Sequence, residues 1–185
     1  RSVNPQAKVY VVWTNSWSDP TIEAEATRGL IESGVDVLGS ELSNPLTVAK
    51  TAEQMHVMNI SNQTDLRDVV PQGWLTGAKW NLGETLASMV RSVQAKTWRQ
   101  DYRWYTMKDG TIELCTFGKI VPLALQKRAS RLAQQIKQGK KQVYIGPLKD
   151  REGKQRLAPG EVATAKMLSR MDWLIEGVEG TLPHH

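Results

Sequence analysis

The chain has 185 residues, of which 40% are hydrophobic and 23% charged, a composition typical of a water-soluble globular protein. No apolar run approaches the roughly 18 residues that a membrane-spanning helix needs. The single cysteine, Cys115, excludes both an intramolecular disulfide framework and a cysteine-rich metal site. Its place in an alternating apolar run predicts a buried strand cysteine rather than a reactive thiol.

The formal net charge of +5 is unevenly distributed, because residues 119–156 hold eleven Lys or Arg against two acids. The one aromatic residue of this segment is Tyr144, too few for the stacking platform of single-strand nucleic-acid binders. A helix predicted over residues 122–138 places four apolar side chains on one face and the cations on the other. We therefore interpret the segment as a solvated basic surface and expect no nucleic-acid partner.

The first predicted elements are a strand, a loop, a helix and a second strand. Residues 9–13 are β-branched and aromatic, which favours a buried strand. A helix follows with Asp19 as N-cap and Pro20 at its first position, and ends at Gly34, which suits a left-handed C-cap. Residues 35–38 form the next strand. Ligands of such folds collect at the carboxyl ends of the strands.

Strands and helices continue to alternate, which predicts a parallel sheet with right-handed crossovers. Asn44 and Pro45 open a second helix, and residues 56–60 form a third strand. A polar loop over residues 61–73 leads to a strand over residues 74–80, whose glycine allows close approach of a neighbouring chain segment. The next helix is predicted from about residue 82 to 96, and its expected core stripe is Leu82, Leu86, Met89, Val90 and Val93.

The last third of the chain is predicted to contain two hairpins and the basic helix. The first hairpin turns at Asp109-Gly110, since Asp-Gly favours a tight turn. The second has its turn over residues 149–154. The overall expectation is an α/β fold, with helices on the faces of a mostly parallel sheet and loops at one edge.

Residues suited to catalysis or metal binding are scarce. Neither the P-loop spacing nor the dinucleotide-binding spacing occurs, and there is no Gly-x-Ser-x-Gly elbow. We interpret His56 as structural, whereas His184 and His185 end the chain as native residues or as the remnant of a purification tag. The sequence therefore predicts no enzyme activity, no cofactor and no metal site.

Five segments, in series, resemble the basic membrane protein (BMP), or purine-nucleoside-receptor, family, the solute-binding proteins of ABC importers. They are residues 9–20, 34–38, 76–81, 144–153 and 171–177, and together they extend over nearly the whole chain. The resemblance implies a type I periplasmic-binding fold, a three-layer α/β/α arrangement with a mostly parallel sheet. It also implies two lobes, of which this chain matches only the later part, so that an N-terminal lobe is missing.

The resemblance implies three regions for this C-terminal part of a two-lobe protein. Residues 1–75 are expected to supply α/β units of the second lobe. Residues 76–100 are expected to supply a crossover strand and helix of the other lobe. Residues 101–185 are expected to complete both lobes with hairpins and a helix.

Six residues are predicted to bind a ligand. In the polar loop after the first strand, Trp17, preceded by Ser16, offers a flat ring that suits a purine, and the family has an aromatic residue at the matching position. Lys79 matches the family's ligand-contacting lysine, although a surface lysine is the alternative, and Trp80 is expected to close the pocket or to pack between the lobes. The remaining tryptophans that we assign to packing are Trp13, Trp98, Trp104 and Trp173.

Ser61 and Asn62 form the turn after the third strand, where the family usually has an aspartate that binds the sugar hydroxyls of a nucleoside. A serine offers one donor and a weaker acceptor than a carboxylate. This departure favours a free base over a nucleoside.

The function implied by the resemblance is capture of a small planar solute by the substrate-binding component of an ABC importer. Its partners would be adenine, guanine or a nucleoside, and the membrane permease. The location would be periplasmic or extracytoplasmic, as a lipoprotein anchored through an N-terminus that this chain lacks. A ligand-sensing regulatory protein of the same fold is the main alternative, and a nucleoside-processing enzyme is a weaker one.

Overall fold

The computed structural model describes residues 3–182, so His184 and His185 lie outside the described residues. In chain order, the elements are β1 Val9–Val11, α1 Pro20–Glu32, β2 Val37–Leu38, α2 Leu46–Gln54, β3 Met58–Gln63, β4 Trp74–Trp80, α3 Gly83–Gln94, β5 Ile112–Leu114, α4 Leu123–Lys137, β6 Leu148–Lys149, β7 Gln155–Leu157, α5 Ala165–Leu168 and β8 Val178–Gly180. This mixture confirms the predicted α/β class.

The chain divides into two compact units. The terminal unit combines residues 1–35 with residues 142–185, and the central unit is residues 36–141. The boundaries expected from the sequence, after residues 75 and 100, both fall inside the central unit. They concern the lobes of a longer protein and stay a prediction.

The central unit is built on a four-stranded sheet of order β2-β3-β4-β5. Neighbours among β2, β3 and β4 are parallel, as predicted, and β5 runs antiparallel to β4. The connection from β2 to β3 passes through α2, which packs against β3. The buried core of this unit consists of Ala49, Leu66, Val70, Trp74 and Cys115. Trp74 begins β4 and Cys115 follows β5, so these two core residues lie at the strand ends opposite to the polar residues discussed below.

Trp74 is the centre of this core, with 0% of its surface exposed. Its indole Nε1 donates a hydrogen bond to the carbonyl oxygen of Thr116 at 2.8 Å, so the one polar atom of the ring is satisfied. Cys115 is also buried, as predicted, and burial raises the pKa of its thiol to about 11. The thiol therefore stays protonated and unreactive near neutral pH.

The terminal unit contains two small sheets, β1 paired in parallel with β8 and β6 paired antiparallel with β7. The hairpin of β6 and β7 is the second one predicted. The expectation that the first strand is buried was wrong, since Val9 is 53% and Tyr10 43% exposed. The reason is that, among the strands of residues 3–182, β1 pairs with β8 alone and belongs to a different sheet from β2.

Helix α1 has the predicted ends. The Asp19 carboxylate accepts from the backbone N–H groups of Thr21 and Ile22 at 3.0 and 3.1 Å, and Pro20 is the first helical residue. After the C-cap, Gly34 has a φ of +90°, a conformation that costs other residues energy. Local sequence thus determines both ends of this helix.

Several expectations about packing were wrong. The predicted stripe of α3 is exposed at every position, with Leu82 at 37%, Met89 at 42% and Val93 at 59%. Trp13, Trp98 and Trp104 are about half exposed rather than packed. These side chains are apolar, but no element of the described structure covers them.

Two strand predictions also need correction. The third strand starts at Met58 rather than at residue 56, because His56 takes a φ of +58° in the preceding turn, and it continues to Gln63 inside the predicted loop. The turn at Asp109-Gly110 forms, but β5 after it pairs with β4 instead of with residues 98–106.

Candidate functional site

Polar side chains gather at one edge of the central sheet. The carboxyl ends of β2, β3 and β4 meet there, because these strands are parallel, and the antiparallel β5 begins there. This edge carries four of the six predicted site residues, Ser61, Asn62, Lys79 and Trp80. It is where ligands bind in open parallel sheets.

Lys79 lies opposite Glu113 across the β4–β5 pair. Its Nζ is 3.2 Å from the Glu113 Oε2, and the two side chains are 44% and 38% exposed. Lys79 therefore forms an ion pair with a carboxylate in this structure. An ion pair this accessible to solvent contributes about 0–1 kcal/mol, so little free energy opposes exchange of the carboxylate for another acceptor.

Ser61 is only 6% exposed, and its hydroxyl donates to the carbonyl oxygen of Thr64 at 2.6 Å. Its register partner on β4 is Gly77. A Cβ placed on Gly77 would lie 2.4 Å from the Ser61 carbonyl oxygen, so this position admits no side chain. The close approach predicted for the glycine of this strand is thereby confirmed. The hydroxyl proton of Ser61 is committed to the turn, which leaves the oxygen as an acceptor.

Asn62 connects β3 to the loop after β2. Its side-chain amide donates to the carboxylate of Glu41, and its Oδ1 accepts from the backbone N–H of Gln63 at 2.9 Å. Glu41 itself is exposed. The sequence reasoning missed Glu41, although an acid shortly after a predicted strand was a usable signal. This edge of the sheet thus holds a carboxyl group beside Asn62.

Gln63 ends β3 in an unusual conformation, with a φ of +73°. A residue other than glycine in this region stores of order 1 kcal/mol of strain. The Gln63 side-chain amide donates to the carbonyl oxygen of Leu42 at 2.7 Å, which helps to hold the turn. Strained residues of this kind are common at ligand-binding sites. Gln63 is the register partner of Lys79, so its conformation shapes the polar edge of the sheet beside that lysine.

Trp80 follows Lys79 on β4 and is 44% exposed. Because side chains alternate along a strand, it projects from the opposite face of the sheet to Lys79. Its register partner on β5 is Ile112. The half-exposed ring is neither a packed core residue nor paired with the lysine.

Trp17 and Ser16 lie in the terminal unit, on the loop between β1 and α1. Trp17 is 68% exposed, among the highest values for the large apolar residues. The loop is held by its own hydrogen bonds: Thr14 Oγ1 donates to the Ser16 carbonyl at 2.9 Å, and the Ser16 hydroxyl accepts from the Ser18 N–H at 3.2 Å. An ordered loop therefore presents an indole with most of its surface uncovered.

Two cavities of the described structure lie away from most of these residues. One, of about 1210 Å³, is bounded in the central unit by α3 and residues 97–111 and reaches Glu113. The other, of about 360 Å³, lies in the terminal unit beside α5 and the β6–β7 hairpin, with Arg156 stacked on Trp173 at 5.2 Å. Neither contains a predicted ligand residue.

Within residues 3–182, no group of three or more His, Cys, Asp or Glu side chains is arranged to hold a metal ion. Among the helices of the same residues, none combines the length and hydropathy required to cross a membrane.

Solved structures of similar fold come from two kinds of protein. A transcriptional activator of the comK gene from Bacillus halodurans aligns with 69% of this chain and 45% of its own, at 17% identity and a TM-score of 0.62. An ABC transporter solute-binding protein from Conexibacter woesei aligns with 77% of this chain and 48% of its own, at 23% identity and a TM-score of 0.57. At these identities the likeness concerns the fold, which is the one predicted.

Two curated relatives match 99% of the chain. A purine-binding protein of Brucella abortus is 30% identical over 183 residues, and a candidate ABC transporter glucose-binding protein of Haloferax volcanii is 27% identical over 183 residues. The chain spans about half the length of these relatives, 52% and 44% respectively. The sequence profile of the Bmp family, the PnrA-like ABC transporter substrate-binding proteins, matches residues 1–145. The chain therefore belongs to the Bmp family of ABC transporter substrate-binding proteins.

Proposed function

We propose that this chain takes part in capturing a small planar solute, a purine base or nucleoside, for an ABC importer. The observation that carries the proposal is the indole of Trp17, which is 68% exposed on a loop held by its own hydrogen bonds. A flat apolar ring with an open face suits stacking on a heteroaromatic ring, worth about 1–3 kcal/mol per base. The purine-binding relative from Brucella abortus supports the same ligand class.

Each predicted site residue then has a role. Trp17 stacks on the ring of the solute, and Ser16 helps to hold its loop. Lys79 leaves its half-exposed pair with Glu113 and donates to a polar atom of the solute. Trp80, which projects from the opposite face of β4 to Lys79, would pack between the lobes of the full-length protein. Closure of the lobes of the full-length protein would be stabilised by a solute that contacts the closed state better than the open one.

The carboxyl end of β3 favours a free base. The Ser61 hydroxyl is buried and donates to Thr64, so it has no proton to offer a ribose. A sugar placed there would lose water without full replacement of its hydrogen bonds. We therefore propose that adenine or guanine binds at least as well as its nucleoside.

A nucleoside is the second candidate, and Glu41 is the observation that favours it. This exposed carboxylate accepts from Asn62 at the same edge of the sheet. An ionised acceptor makes stronger hydrogen bonds to hydroxyl groups than a neutral one does. Glu41 would then take the role that the family usually gives to the residue at position 61.

The partners and location follow from the same proposal. The solute would be delivered to a membrane permease, and the protein would act outside the cytoplasm as a lipid-anchored protein. No step of this function requires catalysis. A sensor of the same fold would bind the solute equally well. Deletion of the permease distinguishes the two functions, because uptake of the solute should stop for an importer, whereas a regulatory response to the solute should persist for a sensor.

The test is to identify the bound solute and then to measure its affinity. A chimera in which this chain replaces the matched 183 residues of the Brucella abortus protein supplies the length that the chain lacks. Mass spectrometry of the small molecules that co-purify should detect a purine. Calorimetric titration with adenine and adenosine then ranks base against nucleoside, and Glu41→Gln should weaken the nucleoside alone if Glu41 binds the sugar. Recovery of a sugar or amino acid and no purine would refute the proposal.

A further inference from the structure

We propose that the outward face of α4 binds the surface of an anionic phospholipid membrane. The segment that contains it, residues 119–141, carries seven cations and no acid. They are Lys119, Lys127, Arg128, Arg131, Lys137, Lys140 and Lys141. This segment contributes +7 to a formal net charge of +5, so the rest of the chain is net negative. We call residues 119–141 the basic segment.

The cations of the basic segment are available to a partner. All seven side chains are exposed. None of them forms an ion pair with any residue in the range 3–182, whereas lysines and arginines elsewhere do, as in the Lys8–Glu179 pair at 2.8 Å. Charges of one sign without counter-charges create a field that attracts an anionic surface.

The orientation of α4 aims these charges away from the central unit. Its half-buried positions are Gln126, Ala129, Ala133 and Ile136, which lie on one face because they are three or four residues apart. Lys127, Arg128 and Arg131 lie on the opposite, exposed face. Leu123 and Leu132, 63% and 42% exposed, flank them. The outward face is therefore basic with an apolar rim, a combination that fits phospholipid headgroups and the upper part of the acyl layer.

A membrane fits this face better than a nucleic acid does. The basic segment contains no aromatic residue, so it cannot stack on bases. The choice of a membrane also rests on the proposed function, because a protein that delivers solute to a permease works next to lipid. Each basic residue near an anionic surface strengthens binding about fivefold, and salt weakens the attraction.

The experiment measures partition of the 185-residue chain onto phosphatidylglycerol vesicles by sedimentation, without any solute. The variant Lys127→Gln/Arg128→Gln/Arg131→Gln should lower the partition coefficient about 100-fold. The matched control Lys50→Gln/Lys108→Gln/Lys166→Gln removes the same charge from exposed sites elsewhere and should change it at most a few-fold. Circular dichroism establishes whether each variant folds. If the triple variant of α4 does not fold, the single variant Arg131→Gln replaces it, with an expected loss of about fivefold in the partition coefficient.

Equal losses in the two triple variants, equal binding to neutral phosphatidylcholine vesicles, or tighter binding to duplex DNA at the same salt concentration would each overturn the membrane proposal. Vesicle binding and purine binding are measured separately. A chain that binds vesicles while the chimera binds no purine would refute the proposed function alone.

Discussion

The strongest prediction concerns Trp17→Ala in the chimera. If the indole stacks on the solute, its removal should weaken binding about 10- to 100-fold, since a stacked ring is worth about 1–3 kcal/mol and each tenfold is about 1.4 kcal/mol. The cost to stability should be smaller. Trp17 is 68% exposed, so the protein covers only about a third of a side chain of about 250 Å². At about 25 cal/mol per Å² that area contributes at most about 2 kcal/mol to folding.

The assay pairs calorimetric titration of adenine with thermal unfolding. Trp98→Ala is the matched control, because Trp98 is 55% exposed and lies outside the predicted site. Both variants should shift the melting temperature by only a few degrees, but only Trp17→Ala should lose affinity. A large loss of stability with unchanged affinity would refute the assignment, because it would show that Trp17 supports the fold rather than the ligand.

Three further predictions concern the packing and the stability of the two units. Gly77→Ala should destabilise the protein by about 1–3 kcal/mol in denaturant titration, because its Cβ would meet the Ser61 carbonyl at 2.4 Å; unchanged stability would show that β3 and β4 separate freely. Since burial raises the pKa of Cys115 to about 11, Ellman's reagent at pH 8 should label the native thiol at least about 100-fold more slowly than the unfolded one, and equal rates would contradict its burial. Burial of Asp150 acts to raise the pKa of its carboxyl group, but hydrogen bonds from Arg156 and from the Lys154 N–H outweigh burial and hold that pKa below its usual value. The stability that Asp150 contributes is therefore present above about pH 4 and is lost as the pH falls through the folded pKa. Asp150→Asn should flatten the acid limb of a melting-temperature profile, and an unchanged limb would assign acid unfolding to other groups.

The features that the sequence predicted well are local ones. The N-cap at Asp19 and the glycine after α1 act through contacts within four residues, so the residue types alone indicate them. The parallel order of β2, β3 and β4 follows from the alternation of strands with crossovers. The pattern also predicted that a strand with a close-approach glycine follows the loop after β3.

Burial was harder to predict, because it depends on distant parts of the chain. The periodicity of α3 correctly gave an amphipathic helix, but nothing in the pattern says which surface covers Leu86 or Val90, and both are more than half exposed. Conversely, Trp74 resembles the other tryptophans in the sequence, yet it is fully buried in a cluster with Ala49, Leu66, Val70 and Cys115, and Thr116, 42 residues later, accepts its N–H.

The residues of the candidate site were also predicted only in part, because contacts between distant parts of the chain are hard to predict from sequence. Lys79 was predicted from a segment that resembles the family, and Ser61 and Asn62 were predicted because they follow the third strand, where the chain departs from the pattern that the resemblance implies. Their ligand contacts stay a prediction, but the pairing of β3 with β4 brings the three residues to one edge of the sheet. Glu41 follows a predicted strand by three residues, but its position alone did not indicate its hydrogen bond to Asn62, a residue 21 positions away. Family resemblance points to positions where residues usually act, and it gives no signal for a contact made from a different strand end.

The lengths of the central strands have a consequence for the solubility of the chain. The inner strands β3 and β4 have six and seven residues, whereas the edge strands β2 and β5 have two and three. Short edges offer few free N–H and C=O groups, so another molecule gains little by adding a strand to this sheet. Self-association of the central unit would have to proceed through side chains such as those of α3. It should then respond to detergent and to apolar substitutions, and it should not produce the cross-β order of amyloid.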